Sequence, residues 1–222
     1  MSEGIRLLKT IFTTSLPIQP DIIYRRDQTA LHEQQTGPSV QYEHSDAIAA
    51  VNLAHLTGEW SILPTAFYMC CQLDVETLVR GKAREGGTPD VLGPADLIKC
   101  IEGRKQLLQA HASAIHIILD VNPLPMKWFT DCKARDDACR SARDALYQDV
   151  AGTRCYIERA LWSWEDDIAK AGFCPPCRER FNRRAQERVG LVWLRLARLF
   201  SLDHQSWKRL VLSDVFASLD CE

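Results

Sequence analysis

Residues 46–73 read DAIAAVNLAHLTGEWSILPTAFYMCCQL, and this stretch decides the fold class. Ala47, Ile48, Ala50, Val51, Ala54 and His55 fall on one stripe at the 3.6-residue helical period. Ser45 or Asp46 suits the N-cap, where a short side-chain oxygen accepts a backbone N–H. Gly58 suits the stop, because glycine enters the left-handed region without a Cβ penalty. Pro64 fits the first turn of the next helix, where its missing N–H has no intrahelical partner to lose. That helix is expected over residues 65–73. Its Phe67, Cys70, Cys71 and Leu73 are apolar, and the two cysteines read as core.

The same reasoning extends in both directions. Asp74 caps a short third helix that runs through Val79 and stops at Gly81. Residues 84–93 carry Gly86, Gly87, Pro89 and Gly93 and must be a loop. Pro94 opens a long helix in which Leu97, Ile98, Ile101, Leu107 and Leu108 recur near the helical period. It is expected to reach Ile118 and to close at 122–125. Further helices are expected over 134–150, 154–170, 177–200 and 204–219. In the third of these, Val189, Val192, Trp193, Leu196 and Phe200 form an apolar stripe, with arginines at the other positions. Towards the N-terminus, residues 5–12 suit a short helix, which Pro17 and Pro20 break, and 21–43 read as a polar loop. No alternating strand pattern spans a useful length. The expected fold is therefore all-α, an irregular multi-helix bundle. Residues 1–43 form an N-terminal helix remnant and polar loop, and 44–222 a helical domain with a possible sub-boundary near 122–131.

Bulk properties bound the function. A chain of 222 residues with 46% hydrophobic content can bury one good core or two small ones. A charged fraction of 25% and a net charge of -2 argue against a nucleic-acid or anionic-membrane surface, which needs sustained positive charge. Residues 1–16 lack the continuous apolar core of a signal peptide, and no run is long enough to span a bilayer. Nine cysteines, an odd count without a secretory signal, read as reduced thiols in the cytoplasm or nucleus rather than as a disulfide framework.

One cysteine constellation carries chemistry. Cys132, Cys139, Cys174 and Cys177 offer two local pairs of soft ligands, the set a tetrahedral structural zinc requires. Cys174-Pro175-Pro176-Cys177 is a stiff half-site, and a helix N-terminus after it favours thiolate. The other pair sets a condition. On one continuous helix, residues seven apart lie about 10.5 Å apart along the axis, too far to share an ion. A shared site therefore needs a turn between Cys132 and Cys139, with a helix beginning near 134–137. Two readings stay open at this point, one structural zinc or buried and unpaired cysteines. His111 and His116 are reserve ligands. A redox role for Cys174 and Cys177 calls for a preceding strand in the thioredoxin manner, and none is expected before Phe173. The arginines between Arg178 and Arg198 read as a solvated helix face, with an acidic partner surface as the alternative. Glu165, Asp166 and Asp167 could pair with that face. Trp162, Trp164, Trp193 and Trp207 read as core. No phosphate loop, nucleophile elbow or zinc-protease motif is present, so no catalytic or cofactor-binding residue is assigned and the chain is not expected to be an enzyme.

Several segments together resemble the fungal, mainly basidiomycete, BTB/POZ-domain proteins. One is Leu63, Pro64, Ala66, Tyr68, Cys70, Cys71 and Leu73, in the spacing LP-x-A-x-Y-x-C-C-x-L. Others are Gly93–Arg104 (GPADLIKCIEGR), the cysteine pair ahead of a tryptophan-containing segment and Cys174-Pro175-Pro176-Cys177, and Val192–Leu196 through Phe200-Ser201-Leu202 to Trp207. Residues 7–16 (LLKTIFTTSL) are similar to the segment leaving the BTB domain. The likeness covers most of residues 5–207 and implies the helical region that follows a BTB domain, as a fragment or truncated paralogue without the BTB fold itself. The dimerisation that BTB domains supply is not carried over. The resemblance implies a non-catalytic protein–protein interaction or scaffolding region with unknown protein partners, and the lack of a spanning run or basic surface adds the expectation of no membrane contact. A zinc-stabilised transcription-regulator module contacting nucleic acid is the first alternative, and an enzyme the second.

Overall fold

The structure is a computed structural model, and it describes residues 44–84, 87–119, 132–133, 137–153, 160–161, 163–202 and 207. The described part is 76% helical and contains no strand, so the fold is all-α as expected. The one β-type pairing among the described residues is an isolated antiparallel bridge between Lys82 and Asp90. No described helix is long and apolar enough to cross a membrane. The helices are α1 (Asp46–Thr57), α2 (Leu63–Cys70), α3 (Val75–Arg80), α4 (Pro94–Leu119), α5 (Ala138–Thr153), α6 (Glu165–Lys170), α7 (Pro175–Leu194) and α8 (Leu196–Leu199), with a 3-10 turn at Trp60–Ile62. They build two compact units. The first takes the described residues up to Gln106 and from Leu194 onward, and the second takes Leu107–Trp193. The expected elements at 5–12 and 204–219 and the expected sub-boundary at 122–131 lie outside the described residues, Trp207 excepted.

The first unit is built around α2. All eight of its residues are buried, Thr65 among them, as suits a mostly apolar helix that is surrounded on every side. Pro64 sits in its first turn as expected, and the helix ends at Cys70, three residues short of the reading from sequence. Five of the six stripe positions on α1 are buried, Ala47, Ile48, Ala50, Val51 and Ala54, whereas the sixth, His55, is exposed. Gly58 ends α1 at φ +71°. Asp74 caps α3, its carboxylate accepting from the Thr77 N–H at 2.9 Å and from the Thr77 hydroxyl at 2.6 Å. Those bonds, the hydroxyl first, hold the Asp74 carboxyl below its ordinary pKa. Asn52 of α1 donates to the Val91 carbonyl at 3.1 Å, and His55 meets Asp96 of α4 at 3.0 Å. Asp96 suits the first turn of α4, where the helix dipole favours a negative charge. Cys70, Cys71 and Cys100 are fully buried, and the Cys71 thiol donates to the Cys100 carbonyl at 3.3 Å. The expectation that Cys70 and Cys71 are core therefore holds.

The second unit packs longer amphipathic faces. Leu107, His111, Ala114, Ile115 and Ile118 of α4 are buried at a 4-3-1-3 spacing. Cys139, Arg143, Leu146 and Val150 of α5 repeat a 4-3-4 spacing, and Cys177, Phe181, Ala185, Val189, Val192 and Trp193 line α7. The His111 ring lies 5.9 Å from Trp164, and His116 lies 5.7 Å from Tyr147. Arg188 of α7 donates to the Ser113 hydroxyl of α4 at 3.2 Å. Two expected helices need correction. The one expected over 154–170 is interrupted in its described part: Ala160–Leu161 are 3-10, Ser163–Trp164 are not helical, and α6 starts at Glu165. Trp164 is buried just before that start, and Glu165, Asp166 and Asp167 crowd the first turn, where acidic side chains complement the exposed N–H groups. The one expected over 177–200 begins two residues early, at Pro175, and breaks at Arg195 before the short α8.

Gly103 and Gly190 differ only in their surroundings. A Cβ on Gly103 would stand 2.2 Å from Phe200 Cε1, and Phe200 is itself buried and packed 5.4 Å from Phe67. A Cβ on Gly190 would meet nothing within 4 Å. Gly103→Ala is expected to lower stability by roughly 1–3 kcal/mol through overpacking, despite a helix-propensity gain of about 1 kcal/mol. Gly190→Ala is expected to raise it by up to about 1 kcal/mol. Urea midpoints of the two variants check this, and shifts of the same sign would refute the close packing at Gly103.

Candidate metal centre

The first half-site forms at the start of α5. Asp137 sits in the left-handed region at φ 55°, a conformation that Asp and Asn enter more readily than most side chains. Its carbonyl accepts from the N–H groups of Arg140 and Ser141 at 2.8 and 3.0 Å, which starts the helix. Cys139 is the second residue of α5 and the first on its buried face. Cys132 lies before the helix, in irregular backbone, and is half-buried. The two cysteines are therefore not on one helix, and the condition set by their seven-residue spacing is met.

The second half-site forms at the start of α7. Gly172, at φ +81°, turns the chain after α6, a backbone angle at which any larger residue would be strained. Phe173 then packs against Phe181 with ring centroids 4.5 Å apart. Cys174 immediately precedes Pro175, and its carbonyl accepts from the Arg178 N–H at 2.9 Å, the first hydrogen bond of α7. Pro175 and Pro176 occupy first-turn positions whose N–H groups would have no partner within the helix. Cys177 follows on the buried face.

The four sulfurs converge. The Sγ atoms of Cys132, Cys139, Cys174 and Cys177 all lie within 4.8 Å of one another, the geometry of a group able to hold one metal ion. Cys132 and Cys174 are 3.8 Å apart, and the Cys174 N–H donates to Cys139 Sγ at 3.3 Å. All four are free thiols. Cys139 and Cys177 are buried, whereas Cys132 and Cys174 are half-buried.

Their electrostatics differ in a way that suits a ligand set. Burial works against a thiolate at Cys174, but the N–H groups of Cys177 and Lys133 and the thiols of Cys139 and Cys177 outweigh it and lower its pKa to about 6. Burial pushes the Cys177 thiol well up, and its hydrogen bond to Cys174 adds to that. Burial also raises Cys139, partly offset by the Cys174 N–H. Without a cation, one thiolate makes its neighbours harder to ionise. A bound cation reverses this, since metal ligation releases the thiol protons. Four sulfur donors select a soft or borderline ion over magnesium or calcium, which take oxygen.

Other candidate residues lie elsewhere. His111 and His116 do not join the group: His111 is buried beside Trp164, and His116 stands by Tyr147. Glu165, Asp166 and Asp167 belong to the first turn of α6 and are not part of it either. Trp164, Trp193 and Trp207 are buried, as core tryptophans should be, and the side chain of Trp162 lies outside the described residues, as do Cys155 and Cys221. Arg178 and Arg183 are exposed on the polar side of α7, with Arg180, Arg184 and Arg188 half-buried. Cys174 is not preceded by a strand. The N–H group of Cys177, in the first turn of α7, is the helix N-terminus expected to favour a thiolate at Cys174, whereas the N–H group of Lys133 is a backbone contributor that escaped the reading from sequence.

Compared with known proteins, the chain matches no family model, no curated protein and no solved structure.

Proposed function

We propose that this chain is a non-catalytic helical interaction module whose second unit is stapled by one structural zinc ion on Cys132, Cys139, Cys174 and Cys177. The observation that carries the staple is the convergence of the four sulfurs within 4.8 Å. Zinc–thiolate bonds of about 2.3 Å at tetrahedral angles separate the sulfurs by about 3.8 Å. The Cys132–Cys174 distance is 3.8 Å. A set of four protein ligands leaves no open position for a substrate or water, which is the arrangement of structural zinc rather than catalytic zinc.

Two observations support the interaction reading. The order and spacing of Leu63–Leu73, Gly93–Arg104, Cys174–Cys177 and Val192–Trp207 resemble the region that follows the BTB domain in fungal BTB/POZ proteins. The first unit also leaves large apolar side chains in water, among them Leu56 at 82% exposure, Val75 at 65%, Ile98 at 57% and Ile101 at 56%. Ile98 and Ile101 stand three residues apart on one face of α4, and apolar groups gathered on one face are the raw material of a protein-binding surface.

The staple predicts one zinc per purified chain by elemental analysis. Cys174→Ala should weaken zinc binding by more than the 10- to 100-fold typical of losing a supporting contact (about 1.4–2.8 kcal/mol). Metal-free protein with an unchanged fold would eliminate it. The interaction reading predicts that the intact chain captures a defined protein from cell lysate, and that the double variant Leu56→Asp, Ile101→Asp loses it while keeping its helical content. Recovery of the same proteins by both forms, or of none by the wild type, would count against it.

A further inference from the structure

We propose that the centre is also a redox-sensitive modification site, in which peroxide joins Cys132 to Cys174 and so releases the metal. The proposal rests on the zinc reading above. Its evidence is the asymmetry among the four thiols. Cys132 and Cys174 are the two half-buried residues of the set, and their sulfurs stand 3.8 Å apart, whereas Cys139 and Cys177 are buried. A peroxide molecule arriving from water meets the less buried pair first.

The backbone selects the same pair. A disulfide needs its sulfurs at about 2.05 Å, so one sulfur must travel a little under 2 Å. Cys132 lies in irregular backbone ahead of α5 and can make that movement without disturbing a helix. Cys177 is fixed in the first turn of α7 behind two consecutive prolines, and Cys139 in the first turn of α5. The local Cys174–Cys177 bond, the usual outcome for a Cys-x-x-Cys segment, therefore competes at a disadvantage.

The Cys174 thiolate attacks one oxygen of hydrogen peroxide, the O–O bond breaks, and a sulfenic acid and hydroxide form. The Cys132 thiolate then attacks the Cys174 sulfur, the S–S bond forms, the S–O bond breaks, and a second hydroxide leaves. Two protons complete two waters, and the two sulfurs have together lost two electrons to the peroxide. Only Cys139 and Cys177 then remain as ligands, too few to retain the ion. The new bond keeps the two half-sites tied across 42 positions of sequence after the metal has gone.

The test uses the zinc-loaded full chain and one equivalent of hydrogen peroxide. A chromogenic chelator reads released zinc, and tryptic peptides are mapped without reduction after the remaining thiols are alkylated. Cleavage places Cys132 in residues 128–133, Cys139 in 136–140, and Cys174 with Cys177 in 171–178. The expected result is release of the zinc together with a 128–133/171–178 cross-link through Cys174, with Cys139 and Cys177 alkylated. A loop confined to 171–178, or full zinc retention with four intact thiols in a large excess of peroxide, would overturn the proposal. A chain that takes up no zinc removes the staple reading instead, and there the peptide map of the metal-free chain decides the pairing on its own.

Discussion

Four sulfur atoms, contributed by two stretches of chain 35 positions apart, share a space 4.8 Å across. Nothing in hydrophobic packing alone demands that arrangement. Thiols are small, and as thiolates they repel one another; burial first, and then the bond to Cys174, keeps Cys177 protonated, and burial does the same for Cys139. A cation at the centre would turn that repulsion into attraction. The second unit is organised around this point. The start of α5, the turn at Gly172 and the first turn of α7 each place one or two sulfurs, and the buried stripes of α5 and α7 run on directly from Cys139 and Cys177. A residue that moved either helix start would move a ligand.

The first unit follows a different logic. Its centre is a short, fully buried helix, α2, sheathed by the small residues of α1 and closed by Phe200 resting on Gly103. Here packing alone suffices, and buried side chains of the size of Phe67, Leu63 and Met69 each contribute about 1.5–3 kcal/mol. Its cysteines behave accordingly. Cys70, Cys71 and Cys100 are fully buried filler, tied by the bond from the Cys71 thiol to the Cys100 carbonyl, in contrast to the half-buried Cys132 and Cys174 of the second unit.

How legible each part was depends on how local its cause is. Gly58, Asp74, Gly81 and Pro94 act on the backbone within one turn, and they mark helix ends where the sequence placed them. The break before Glu165 was misread because Trp164 is held by burial beside His111, a contact more than fifty residues away in sequence. The three acidic residues that follow were the local sign of the helix start. For the cysteines, residue type and pairing were readable, and the seven-residue spacing correctly required a turn. The left-handed backbone at Asp137 that supplies it was not readable, since aspartate permits that conformation without requiring it. Nor could spacing rank His111 and His116 against the thiols; only the packing of their rings against Trp164 and Tyr147 does that.

A helical scaffold with one small, closed metal staple would be stable without an active-site cleft, and its exposed apolar side chains would remain available to a partner. That picture depends on all four thiolates binding the same ion at once. X-ray absorption at the zinc edge of the purified chain measures this directly. Four sulfur neighbours at about 2.3 Å, with no nitrogen or oxygen in the first shell, are the expected result. A shell of two sulfurs completed by nitrogen or oxygen would contradict the convergence of the two cysteine pairs on one centre.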